Sequence, residues 1–283
     1  MKRVMLRVAY DGTEYCGWQR QPNGITVEGI LNARLSALLG EDIEVIGASR
    51  TDAGVHARGN VCVFDTKSRI PGEKLAHALN PSLPEDITVQ ESCEVAADFH
   101  PRHCDCNKTY EYQIYNATFP DPLLRRYSHF LYRPLDVSAM QQAAKYLVGE
   151  HDFKSFCSVN TQVKETVRRV NYLEVLEGGI RPYGFRATGE TSDGIMPRLI
   201  TIRINGNGFL YNMVRIIAGT LIEVGYHKRT PKSLAESLAA CDRKAAGATA
   251  PACGLTLLEI QYGKTSMFQE GWQTKISKER GFL

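Results

Sequence analysis

Residues 2–11 alternate apolar with polar, placing Val4, Leu6, Val8 and Tyr10 on one face, and that period of two predicts a strand. From Val27 the period changes. Val27, Ile30, Leu31, Leu35 and Leu38 recur at helical spacing, with Thr26 placed to cap the start and Gly40 to stop it. Strands are predicted near Glu44–Ala48 and around Val61–Phe64. A short helix opens at Pro71 and carries Leu75, Ala76 and Leu79; Asn80-Pro81 ends it, and Ile87–Val95 reads as the next strand. The order β-α-β-β-α-β is the split-βαβ, or ferredoxin-like, arrangement. RNA-recognition modules share that sheet architecture, although a fold alone does not fix a function.

The remainder is larger. Residues 108–115 alternate, with Tyr110, Tyr112 and Ile114 on one face, and a helix over 137–148 carries Met140, Ala143, Ala144, Leu147 and Val148. Strands are predicted at 169–176, 183–188 and 198–205. A strongly periodic helix follows with Leu210, Met213, Val214, Ile217, Leu221 and Val224, and Thr230 with Pro231 marks another helix start. After the small-residue stretch Ala245–Ala252, Leu255–Tyr262 reads as a closing strand. The expected fold class is therefore α+β, with two ferredoxin-like (RRM-like) halves joined through antiparallel sheets and a cleft between them. The expected domains are 1–105 and 106–263, followed by a polar, basic tail over 264–283. No Pro/Gly-rich linker divides the halves, so the boundary rests on the completed first unit.

At roughly 100–200 residues per domain, 283 residues suit two domains. An apolar fraction of 43% and a charged fraction of 23% are ordinary for a globular chain with a real core. No apolar run reaches the ~18 residues a membrane span needs. The N-terminus interrupts its apolar residues with Arg7 and Asp11, unlike a secretory signal, so a cytoplasmic address is expected and the eight cysteines read as free thiols. The one tight group, His103-Cys104-Asp105-Cys106, lacks the second ligand pair that zinc sites use and reads as a loop entering a strand; no metal is expected. A net charge of +3 is too mild to imply a nucleic-acid partner by itself. Its distribution says more: Arg125-Arg126, Arg168-Arg169, Lys228-Arg229 and Arg243-Lys244 would suit a phosphate backbone if gathered on one face, and otherwise are solvated surface.

The strongest local signal is Arg50-Thr51-Asp52-Ala53-Gly54-Val55-His56-Ala57, at a predicted strand end. Read alone, Asp52 is a nucleophile, a general base, half of an ion pair, or an Asp turning on its own backbone. The string as a whole resembles the signature of the tRNA pseudouridine synthase A family. Tyr10-Asp11-Gly12-Thr13 with Gly17-Trp18-Gln19 matches that family's opening motif, and Ala78-Leu79-Asn80, Leu83-Pro84 and Asp86-Ile87 match its next segment. Phe99-His100, Arg102 and Lys108-Thr109-Tyr110 follow. So do Gly149-Glu150-His151-Asp152-Phe153 with Ser155-Phe156, Phe209-Leu210 with Met213-Val214-Arg215, and Ala250-Pro251-Ala252 with Gly254-Leu255. These motifs keep their order over residues 10–262, which makes the resemblance highly specific.

The resemblance implies an isomerase that converts uridine to pseudouridine in the tRNA anticodon stem-loop, at positions 38–40, and that acts as a homodimer with a basic RNA-binding cleft. It implies Asp52 as the catalytic carboxylate, Arg215 as its ion-pair partner, Tyr110 packed on the target base, and Arg50 holding the nucleotide out of the stack. His56 and Trp18 lie inside matched motifs. Packing or loop-shaping suits both, with His56 kept beside Arg50 and Tyr110 among the candidate substrate-binding residues.

Physical chemistry agrees with those roles. The N1–C1′ bond of uridine breaks, the base turns, and C5 rejoins C1′; base and ribose are both kept, so no cofactor is required. Asp52 can attack C1′ or remove a ribose proton to give a glycal, and either needs it ionised, which a neighbouring cation favours. Stacking on an aromatic face is worth ~1–3 kcal/mol per base, while flipping a nucleotide out costs roughly a few kcal/mol. Tyr110 is also a candidate base for the C5 proton. Against these stand plainer readings: a tyrosine on an alternating strand as half-buried core, and an arginine at the edge of a helical stripe reaching for solvent. The His103–Asn107 stretch and the length of 159–200 depart from the family pattern. They leave open a paralogue acting on another RNA. A separate alternative is a catalytically silent RNA-binding or RNA-folding protein, for which an intact Asp52, Tyr110 and Arg215 set would be unnecessary.

Overall fold

The computed structural model describes residues 1–159, 165–179 and 196–263. Contacts divide the chain into two compact units, Met1–Cys106 together with the residues from Glu259 onward, and Asn107–Leu258. The first holds β1 (Lys2–Tyr10), α1 (Val27–Leu39), β2 (Ile46–Gly47), β3 (His56–Thr66), α2 (Leu75–Leu79) and β4 (Ile87–Val95). The second holds β5 (Cys106–Asn116, from its second residue), β6 (His129–Leu131), α3 (Val137–Ala144), β7 (Gly149–Asp152) and β8 (Val167–Gly179). It continues with β9 (Arg198–Gly206), α4 (Met213–Gly225) and α5 (Ser233–Ala240), while β10 (Leu255–Tyr262) begins in this unit and ends in the first. The class is α+β with mostly antiparallel pairing. The strand predicted at 183–188 and the tail over 264–283 lie outside the described residues.

In the first unit β1 runs antiparallel between β3 and β4, with Leu6 opposite Cys62 and Ser92, and β2 adds to β3 through Ile46 and Gly47. The N-terminal signals of α1 act as the sequence suggests. Thr26 Oγ1 accepts from the Gly29 N–H at 3.2 Å, and Gly40 closes the helix at φ +65°. The alternation in β1 predicts one buried face, yet Met5 on the other face is buried too, at 2% exposure. Met5, Ala48, Val61, Val63 and Phe99 form a second core layer, closed over by Cys104, Ile260 and Tyr262. The strand predicted over 44–48 shrinks to two residues because the Ile43 and Val45 N–H groups donate to Ser36 Oγ and Asn32 Oδ1 of α1 instead of to a ladder.

In the second unit β9 lies between β5 and β8, with Tyr110, Tyr112 and Ile114 opposite Ile204, Ile202 and Ile200. β7 extends β8, and β6 joins β5 in parallel. α4 is buried along almost its whole length, including Ile216, Ile217, Ala218 and Leu221. Its stripe is predicted from Leu210, but the helix begins at Met213, since Asn212 just before it takes the left-handed conformation at φ 61°. α5 likewise starts three residues after Thr230, whose carbonyl rather than its hydroxyl serves the turn by accepting from the Ser233 N–H at 3.0 Å. Among the described residues no helix is long and apolar enough to cross a membrane.

Candidate active site

Asp52 sits on the loop between β2 and β3, half-buried, with exposed Arg50 and buried Thr51 before it. Three backbone hydrogen bonds hold this loop. The Thr51 carbonyl accepts from the Trp18 N–H at 3.0 Å, the Gly54 N–H donates to the Tyr15 carbonyl at 3.3 Å, and the Val55 N–H closes the turn on the Asp52 carbonyl at 3.1 Å. Gly17, at φ +89°, passes so near that a Cβ there would lie 2.5 Å from the Thr51 carbonyl oxygen. Gly12 passes the other end of the loop, where a Cβ would overlap the Val55 carbonyl. The two glycines of the opening motif are thus needed for the backbone of residues 10–18 to lie against the Asp52 loop.

Side chains finish the clamp. The Tyr10 hydroxyl lies 2.7 Å from Thr51 Oγ1, and Asn60 Nδ2 donates to Tyr10 Oη at 3.3 Å and to the Ser49 carbonyl at 3.0 Å. Trp18, 1% exposed, packs on Tyr10 with ring centroids 5.8 Å apart and fills the space that a side chain at Gly47 would need. His56 is 3% exposed. Its Nδ1 accepts from the Gly12 N–H at 3.1 Å and lies 3.1 Å from Asp11 Oδ1, which in turn accepts from the Thr13 N–H at 3.0 Å. Tyr15 donates to Asp86 at 2.6 Å; burial first, and that bond second, push its phenol well above the usual range.

Tyr110 and Arg215 both belong to the second unit. Tyr110 lies inside β5, buried, with its ring edge-to-face with Phe209 at 5.2 Å and 83°. Arg215 lies in the first turn of α4, half-buried rather than reaching into solvent. Its Nε donates to the Ala250 carbonyl and its Nη1 to Asn212 Oδ1, each at 2.8 Å, and Asn212 is itself tied to Ser158 Oγ at 2.9 Å. The Ala250 N–H returns to the Arg215 carbonyl at 3.1 Å. The 248–252 segment is pressed on α4 where Gly219 faces Ala248, and the buried Tyr112 hydroxyl, donating to the Pro251 carbonyl at 3.0 Å, holds it from β5. Burial pushes the Tyr112 phenol far up, so it stays a donor.

Asp52, Arg50 and His56 therefore fall in one unit, and Tyr110 and Arg215 in the other. Sequence reasoning missed Asn60 and Asn212, and it gave no role to Thr51 and Ala250, which lie inside the quoted motifs. Asn60 left a trace, as a carboxamide in the apolar run of β3, and Asn212 another, as a cap-type residue ahead of a helical stripe. The basic pairs divide. Arg229 is paired with Glu223 and Arg243 donates to the Ala246 carbonyl, while Lys228 and Lys244 beside them are exposed. Cys104 Sγ donates to the His100 carbonyl at 3.0 Å and Cys106 opens β5. Among the described residues no three His, Cys, Asp or Glu side chains converge to hold a metal.

A family model for tRNA pseudouridine synthase matches residues 7–103 and 143–263. The tRNA pseudouridine synthase A of Brevibacillus brevis is 50% identical over 262 residues, which cover 93% of this chain and all of that protein. Its namesake from Moorella thermoacetica is 46% identical over 264 residues, again with 93% of this chain and all of that protein. The solved archaeal box H/ACA sRNP Nop10-Cbf5 complex aligns with 90% of this chain and 46% of its own at 11% identity and a TM-score of 0.30, too loose a likeness to argue from. On the family model and these relatives, the chain belongs to the tRNA pseudouridine synthase family.

Proposed function

We propose that this chain isomerises uridine to pseudouridine in the tRNA anticodon stem-loop, at positions 38–40, with Asp52 as the nucleophile. The observation that carries the reading is the Asp52 loop, where a half-buried carboxylate is fixed from behind by two glycine approaches and a buried hydroxyl chain. In this reading the Asp52 carboxylate attacks C1′ and the N1–C1′ pair leaves with the uracil. The base turns, C5 attacks C1′ and releases Asp52, and the proton lost from C5 is balanced by one gained at N1. Tyr110 carries the detached base on its ring face, backed by Phe209, and is the candidate base for the C5 proton. Arg215, with its guanidinium held by Ala250 and Asn212, pairs with Asp52 and keeps it ionised. Exposed Arg50 takes the place of the flipped nucleotide, and buried His56 acts through the shape of the loop. No cofactor is consumed.

We also read each unit as ferredoxin-like. The strand orders β4-β1-β3 with β2 on β3, and β10-β5-β9-β8 with α3 and α4 as connections, support this, since a β-α-β-β-α-β unit arranges its four strands four-one-three-two. We further propose a domain change near residue 105, a basic cleft for RNA, a homodimer and a cytoplasmic address.

The decisive variant is Asp52→Asn, assayed on anticodon stem-loop RNA. Turnover should fall on the order of 10³-fold or more, with RNA affinity within a few-fold because binding rests on basic residues elsewhere. An Asn variant that still turns over near the wild-type rate would remove Asp52 from the chemistry. Mapping pseudouridine in total RNA, with and without the gene, checks the target: loss at positions other than 38–40 would refute the anticodon assignment.

A further inference from the structure

We infer that Tyr10 and Thr51 are positioning residues for Asp52, bonded to each other and, through Tyr10, to Asn60 in a buried relay that sets the direction in which residue 52 leaves the loop. The inference rests on the reading of Asp52 as the catalytic carboxylate. Thr51 immediately precedes Asp52, and it is fixed twice. Its carbonyl is held by the Trp18 N–H and hemmed in by Gly17, which sets the peptide plane. Its hydroxyl meets the Tyr10 hydroxyl at 2.7 Å, which sets the side-chain rotamer and with it the remaining backbone freedom. The carboxamide of Asn60 then binds the Tyr10 oxygen and the Ser49 carbonyl together, so residues 49 and 51 are referred to one group on β3. Asn60 is fully buried, Tyr10 is 4% exposed and Thr51 6%. A polar chain this buried, between two strands and a loop, is costly to build into a core. Packing alone would be served as well by Phe at 10 and Val at 51. What the hydroxyls add is a fixed angle, and small displacements of a reacting group are expensive in rate.

The test uses Tyr10→Phe, Thr51→Val, Thr51→Ser and the double Tyr10→Phe/Thr51→Val in the full chain, with Asp52→Asn as reference. Each hydroxyl deletion should lower kcat on the order of tenfold, with KM for the RNA within twofold and single-turnover rates, corrected for the folded fraction, falling equally. Thr51→Ser should return most of kcat. The double variant should be no slower than the slower single one, because both remove the same bond. The inference is overturned if Tyr10→Phe and Thr51→Val stay within twofold of wild-type kcat while Asp52→Asn is inactive. It is equally overturned if only the melting temperature falls, or if serine rescues no better than valine. An active Asp52→Asn would instead bring down the catalytic reading, and this inference with it.

Discussion

Asp52 and Arg215 are held by opposite means. Asp52 stands on an irregular loop, and its position depends on other chain passing close behind: Gly12 and Gly17 against the backbone, Tyr10 and Asn60 through the relay. Arg215 stands on a buried helix, so its backbone is settled by α4 itself, and only the guanidinium needs partners, which Asn212 and Ala250 provide. A residue on a loop borrows rigidity from its neighbours and writes that debt into the sequence as glycines and a local motif. One on a regular element carries rigidity with it and leaves almost no local mark.

The largest expected effects fall at the glycines. A Cβ at Gly219 would overlap the Ala248 carbonyl on a buried helix where neither side can yield. Gly219→Ala should therefore cost roughly 3 kcal/mol in urea unfolding, at the upper end of core overpacking, and shift the Ala250 acceptor of Arg215. Gly17→Ala meets the Thr51 carbonyl and also leaves a favoured glycine conformation at φ +89°, for roughly 2 kcal/mol of strain. The contrast lies in activity. Gly17→Ala should depress kcat out of proportion to its stability loss, because the displaced group is the loop that carries Asp52. A Gly219→Ala protein unfolding within 1 kcal/mol of wild type would show that the helix is not the rigid support taken here.

Much of the frame could be read from the sequence, and one side of the candidate site carries a local motif. The bounds of β4 and β10 and the caps of α1 follow from pattern because strand alternation, Thr26 and Gly40 act locally. Asp52 was visible as a motif because a loop must encode its own turn. Tyr110 and Arg215 were not visible without the family resemblance. Tyr110 has the alternation and burial of any core tyrosine, and Arg215 borders an apolar stripe, where solvent is the ordinary destination. Its acceptor at Ala250 lies 35 residues on, a distance no local pattern spans. The second buried face of β1 and the shortening of β2 stayed hidden for the same reason, since Tyr262 and Asn32 supply them from afar.

Asn212 combines a backbone role with a side-chain role, and its expected effects are smaller than those at the glycines. Asn212→Gly keeps the φ 61° conformation without strain but removes the acceptor from Arg215 Nη1; Asn212→Ala loses both. The alanine variant should be less stable than the glycine variant by about 1 kcal/mol in thermal or urea unfolding. The two should share a similar reduction in kcat, since both remove the Asn212 acceptor from Arg215 Nη1. If the glycine variant kept full activity, the Asn212 acceptor would not be needed to hold Arg215.

The smallest effects distinguish how the two units hold their surface carboxylates. Arg3 donates to both oxygens of Asp65, at 2.9 and 2.7 Å, and that bond is the first cause of an Asp65 pKa below its ordinary 3.8. Asp152, in the other unit, is also lowered, but chiefly by the Thr166 hydroxyl and next by the Lys154 N–H among the groups that favour its charge. A carboxyl whose folded pKa is depressed binds fewer protons folded than unfolded, so its stabilisation is complete above 3.8 and disappears as pH falls through the lower folded value. Both groups are partly exposed to solvent, which screens them and limits each to less than about 1 kcal/mol. Asp65→Asn should then lower the melting temperature slightly at pH 7, less in half-molar-range salt, and not at all once pH is well below 3.8. Asp152→Asn should share the pH dependence yet keep most of its effect in salt, because a neutral hydroxyl donor is not screened as an ion pair is. Equal salt sensitivity in the two variants would mean that charge, not the Thr166 hydroxyl, governs Asp152.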